Sequence, residues 1–96
     1  MNNNNEKPLK QVIDSMLDAY KLKSGVNEVR VINEWENAVG KLISQKTDKI
    51  FVKRRKLYVY LSSSVIKNEL FYAREEIIDR LNTAIGETVI DELIVR

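Results

Sequence analysis

Cysteine and histidine are both absent from the 96 residues of this chain. Their absence removes disulfides, thiol nucleophiles, zinc sites of the usual type and the side chain whose unperturbed titration falls near neutrality. The three glycines, Gly25, Gly40 and Gly86, stand far apart, so neither a phosphate-cradling loop nor a dinucleotide fingerprint can be assembled. No apolar run approaches the ~20 residues that a membrane-crossing helix needs, and no apolar segment follows a basic start. The acids that do cluster, Glu34/Glu36 and Glu75/Glu76, are one or two positions apart on helical segments and point in different directions. Ser62 to Ser64 lack a histidine to activate them. No catalytic residue, metal ligand or cofactor is therefore expected, and the cytoplasm is the default location.

What remains has the makings of one folded domain. Hydrophobic residues make up 44% and charged residues 31%, a balance that supports a core and differs from that of disordered chains. The asparagine run Asn2 to Asn5 offers nothing to bury, so residues 1–7 are read as a flexible start and residues 8–96 as a single α+β domain.

The apolar spacing names the elements. Leu9, Val12, Ile13, Met16, Leu17 and Tyr20 recur at helical intervals, with Ser24-Gly25 as the expected stop. From near Asn27, Val31, Ile32, Trp35, Ala38, Val39, Leu42 and Ile43 form a second helical stripe. Gly40 lies inside it, at a cost of about 1 kcal/mol relative to alanine, and a close approach by another backbone or by the Trp35 ring is the expected compensation. Trp35 itself reads as core. At Ile50 the period changes to two. Ile50 and Val52 alternate with Phe51 and Lys53, and Leu57, Val59 and Leu61 alternate with Tyr58 and Tyr60, which gives two antiparallel strands joined near Arg54-Arg55. Ser62 to Ser64 offer N-caps for a long helix whose stripe runs through Val65, Ile66, Leu70, Ala73, Ile77, Leu81 and Ile85 to Gly86. The β-branched stretch Val89 to Val95 closes the chain as a strand. The expected order is α-α-β-β-α-β, a small three-stranded sheet with helices mainly on one face.

The net charge of +2 says little, but its distribution is uneven. Lys53, Arg54, Arg55 and Lys56 fall together at the hairpin tip with no acid between Ile50 and Leu61. If Leu57, Val59 and Leu61 face the helices, Tyr58 and Tyr60 face the other way, beside Phe51 and Lys53. Cations beside flat rings suit a single-stranded nucleic acid, whose phosphates meet the cations and whose bases stack on the rings. The candidate site is thus Phe51, Lys53, Arg54, Arg55, Lys56, Tyr58 and Tyr60. The same residues also admit a structural reading, since tyrosines are ordinary strand residues and a basic tip discourages edge pairing. The turn lacks the usual Asn-Gly or Asp-Gly.

Four short segments taken in order, Trp35-x-x-x-Val39-Gly40, Leu57-x-Val59-x-Leu61-Ser62-Ser63, Asn68-Glu69-Leu70 and Arg80-Leu81-Asn82, resemble the DciA family. The resemblance spans roughly Leu9 to Val95 and implies a short, single-domain member with a KH-like fold. It further implies a non-enzymatic role in DNA replication, with the replicative helicase and single-stranded or branched DNA as partners. The alternative is a protein-protein interaction module without direct nucleic-acid binding. Arg55 and Ile66 depart from the glycine and tryptophan often found in the family. A KH site clamps its nucleic acid with a Gly-x-x-Gly loop, which this chain does not contain.

Overall fold

The computed structural model of the chain describes the backbone of residues 3–96 and the side chains from residue 8 onward. The frayed start expected over residues 1–7 lies outside the described side chains. Helix α1 runs over Asn3–Val39, α2 over Lys41–Lys46, strand β1 over Thr47–Lys53 and β2 over Lys56–Leu61. Helices α3 (Ser64–Tyr72) and α4 (Arg74–Ile85) follow, and β3 (Glu92–Val95) completes the chain. The sheet order is β1-β2-β3, with β1 antiparallel and β3 parallel to the central β2. The α+β class, the three strands and the helices packed against the sheet are as expected, but several boundaries move.

The first break in the helical layer falls at Gly40 and not at Ser24-Gly25. Gly25 is spanned by a continuous helix, and its φ is not positive. One glycine costs a helix about 1 kcal/mol, too little to stop a segment whose spacing continues on both sides. Gly40 is different, with φ 95° and ψ 163°. That combination is essentially reserved for glycine. Nothing lies within 4 Å of where its Cβ would be, so the expected close approach of Trp35 or of a backbone is absent. Conformation, not crowding, explains this glycine. The break lets α2 turn the chain into β1, and Thr47 holds the corner: its hydroxyl accepts from Trp35 Nε1 at 3.0 Å and donates to the Ile43 carbonyl at 2.8 Å.

The core lies between the helices and one face of the sheet. Leu57, Val59 and Leu61 of β2 are buried against Val31 and Trp35 of α1, Leu70 of α3 and Ile77, Leu81 and Ile85 of α4. Trp35 is 3% exposed, as its place in the stripe suggested. Each large apolar side chain fully buried there contributes on the order of 1.5–3 kcal/mol.

The expected single third helix is divided at Ala73 (φ −96°, ψ 8°) into α3 and α4. Arg74 supports the division by donating to the Phe71 carbonyl at 2.6 Å, a group freed by the end of α3. At the start of α3, Ser63 acts as N-cap and accepts from the Ile66 N–H. Val65, expected in the stripe, is exposed. Strand β3 begins at Glu92 and not at Val89, because the side chain of Asn82 takes the place of a strand partner. Its Oδ1 accepts from the N–H groups of Val89 and Ile90, and its Nδ2 donates to the Ile90 carbonyl.

The N-terminal half of α1 projects past the sheet, giving extents of 67 × 22 × 19 Å. Leu9, Val12, Ile13, Met16, Leu17 and Tyr20, which recur at helical intervals, do lie on a helix, and all are exposed. Although α1 is long, no helix among the described residues is both long and apolar enough to cross a membrane.

Replacing Gly40 by alanine is expected to lower the unfolding free energy by about 1–3 kcal/mol in urea titration. Unchanged stability would mean that the turn into α2 does not need this backbone geometry.

Candidate nucleic-acid interface

Burial of Leu57, Val59 and Leu61 forces the intervening residues of β2 to the opposite face of the sheet, because side chains alternate along a strand. The register then assembles that face. Phe51 is opposite Tyr58, Lys49 opposite Tyr60 and Lys53 opposite Lys56, while Tyr58 also faces Ile94 on β3. Three of the expected residues form a ring cluster: Phe51 stacks on Tyr58 with centroids 4.8 Å apart and planes 9° apart, and on Tyr60 at 6.1 Å and 21°. The rings are half-buried by one another. They belong neither to the core cluster nor to the residues packed on it, and the exposed Leu9 to Tyr20 segment does not cover them.

Lys49 was missed in the sequence. Its Nζ lies 5.2 Å from the Phe51 centroid and 5.6 Å from that of Tyr60, within cation–π range. The period of two would have found it had β1 been started at Thr47, where it begins, and not at Ile50. A bulge between Thr47 and Lys49 hid that start.

The tip is a two-residue turn in which Arg54 (φ 53°) and Arg55 (φ 65°) are both left-handed. This is the geometry for which Asn-Gly is favoured, and it costs a residue with a Cβ roughly 1–2 kcal/mol. Docking offsets the strain. The Arg55 guanidinium donates from Nε to Asp91 Oδ2 at 2.8 Å and from Nη2 to Oδ1 at 2.9 Å, and the Arg55 carbonyl accepts from the Asp91 N–H at 2.8 Å. Of the expected tip cations, Arg55 is thus engaged with a carboxylate. Lys53 and Arg54 are exposed, and Lys56 is partly buried, opposite Glu92.

Other acids are also engaged: Glu76 accepts from Arg80 at 2.7 Å, Glu34 from Asn37 at 3.3 Å and Asp48 from the Ser62 hydroxyl at 3.2 Å, and Glu87 lies 3.4 Å from Lys23 Nζ. Among the described residues, no group of three or more acidic side chains gathers as a metal site would require.

Fold and interface together define a small α+β domain built on a mixed three-stranded sheet, with helices on one face and rings and cations on the other. The chain belongs to the DciA family: the family described as Dna[CI] antecedent, DciA, matches residues 8–95. Comparison with curated proteins finds no match. The family is of helicase-loader type, associated with the replicative helicase and with DNA replication, and is not a known enzyme family.

The tether at the tip has a pH signature. The two hydrogen bonds from Arg55 hold the Asp91 carboxyl below its ordinary range and hold the guanidinium above its own. A carboxyl with a lowered folded pKa stabilises fully above the unfolded value of about 3.9 and loses that contribution as pH falls through the folded value. Amide protection at Asp91 and the Arg55 Nε–H resonance should therefore hold steady from neutrality to about pH 5 and fade only below about pH 4. Loss by pH 6 would contradict the pairing.

Proposed function

We propose that this protein is a non-enzymatic nucleic-acid-binding accessory protein of DNA replication that acts with the replicative helicase and with single-stranded DNA. The observation that carries this reading is the uncovered Phe51–Tyr58–Tyr60 stack edged by Lys49, Lys53, Arg54 and Lys56. Unpaired bases stack on such rings at roughly 1–3 kcal/mol each with little regard to sequence, while the cations meet the phosphates. The strained tip points the same way. Of the two arginines in backbone positions better suited to asparagine and glycine, Arg55 is tied to Asp91, whereas the Arg54 side chain is exposed at the tip. We read the fold as KH-like and the cytoplasm as its location. In place of the Gly-x-x-Gly clamp, the hairpin cations supply the phosphate contacts, with Arg55 holding the tip in place through Asp91.

Fluorescence anisotropy of labelled single-stranded DNA tests the site. Tyr58→Ala/Tyr60→Ala is expected to weaken binding by about tenfold or more. Arg54→Gln/Lys56→Gln should lower the slope of log affinity against log salt by about 1.4, the share of two phosphate contacts on a single strand. Folded variants that bind with wild-type affinity and salt slope would remove the hairpin as the site.

A second reading, a protein-interaction module, is favoured by the exposed stripe Leu9, Val12, Ile13, Met16, Leu17 and Tyr20 on the projecting half of α1. Contiguous apolar surface of this kind marks docking sites. Ile13→Glu/Leu17→Glu should abolish capture of purified replicative helicase and leave DNA affinity unchanged. Undiminished capture would exclude the stripe as the helicase contact.

A further inference from the structure

The division of the helix at Ala73 leaves two aromatic side chains outside the core. Phe71 is 54% and Tyr72 84% exposed, and their rings meet edge to face at 5.7 Å and 78°. Arg74 fixes the first of them. Its guanidinium lies 4.2 Å from the Phe71 centroid while its Nη1 donates to the Phe71 carbonyl, so cation and ring are held in one arrangement. Lys67 stands one helical turn before Phe71, on the same side of α3. Lys67, Asn68, Phe71 and Arg74 form one wall of a groove of about 400 Å³, whose other wall is Leu93 to Val95 of β3. No carboxylate lines it.

Ile94 joins this groove to the sheet face. It lines the groove and is also the register partner of Tyr58, so the row Phe51–Tyr58–Ile94 leads from the hairpin rings to the ring of Phe71. We infer that the β3-edge groove is a second stacking station for a single-stranded nucleic acid, continuing the track that begins on the hairpin. The inference rests on the nucleic-acid reading proposed above and extends its site. Phe71 offers its ring to a base within the groove, the exposed Tyr72 stands beside it just outside the lining, and Lys67 and Arg74 neutralise phosphates. The absence of acid in the groove and its continuity with a cation-edged ring face favour a polyanion with flat bases over a protein segment.

A two-station track makes affinity depend on strand length. With labelled oligothymidylates of about 5 and about 15 nucleotides, the shorter occupies the hairpin station alone and the longer spans both. Phe71→Ala/Arg74→Gln should weaken the longer strand by about tenfold and leave the shorter unchanged, whereas Tyr58→Ala/Tyr60→Ala should weaken both. Tyr72→Ser, at a position too exposed to disturb the core, should also weaken the longer strand selectively. Phe71→Trp should preserve its binding, because a flat face is retained. Wild-type affinity for the longer strand in folded Phe71→Ala/Arg74→Gln, with the hairpin variants still impaired, overturns the second station alone. Loss of helicase capture in that variant with DNA binding intact would assign the groove to a protein. Failure of the wild type to bind either strand would overturn the hairpin reading and this inference together.

Discussion

Burial of Leu57, Val59 and Leu61 beneath α1, α3 and α4 is the constraint on which the rest of the molecule depends. Central strand β2 is paired on both sides, so its register sets the faces of β1 and β3 as well. A slip of one residue would carry the leucines to solvent and the tyrosines into the core, which makes the arrangement strongly specified. The ring face is thus a consequence of the core. Phe51, Tyr58 and Tyr60 gather because their neighbours in sequence are buried, and Lys49, Lys53 and Lys56 surround them by the same alternation.

Among the described residues the helices pack on one side of the sheet, and two polar devices support the apolar core there. Thr47 ties the Trp35 indole to the start of β1, and the Asn82 side chain binds the backbone of Val89 and Ile90 as a strand would. Each satisfies groups that would otherwise be buried without partners. Arg55 and Asp91 do similar service at the surface, fixing a turn whose backbone is strained at two successive arginines. An anchored tip presents Lys53 and Arg54 from a defined position, which would lower the ordering cost of meeting a phosphate chain in the function proposed above.

Much of this was legible in the sequence because it is periodic. The alternation of β2, the turn at Arg54-Arg55, a serine cap within Ser62 to Ser64 and the core role of Trp35 each rest on local spacing, and each is present in the structure, with Ser63 as the cap. Phe51, Lys53, Lys56, Tyr58 and Tyr60 were legible as one face of the sheet for the same reason. What escaped depends on contacts distant in sequence or on competing weak preferences. Gly25 and Gly40 carry similar helical costs, and only the need to turn into β1 selects Gly40. Pairing of Arg55 with Asp91 spans 36 positions and leaves no local trace. The apolar stripe of Leu9 to Tyr20 reads as one face of an amphipathic helix, yet α1 carries it past the core, and only at its end does Tyr20 come beside the hairpin tip at Arg54 and Arg55. Phe71 and Tyr72 fall outside every apolar stripe, and both are exposed.

The central claim is that the helix-free face of the sheet receives single-stranded nucleic acid on its rings. Titration of the isotope-labelled protein with an oligothymidylate, followed through aromatic and backbone resonances, tests it most directly. The expected result is upfield movement of the Phe51, Tyr58 and Tyr60 ring signals, with backbone changes centred on Lys49 to Lys56. Changes confined to Leu9 to Tyr20, or ring signals unmoved at saturation, would contradict it.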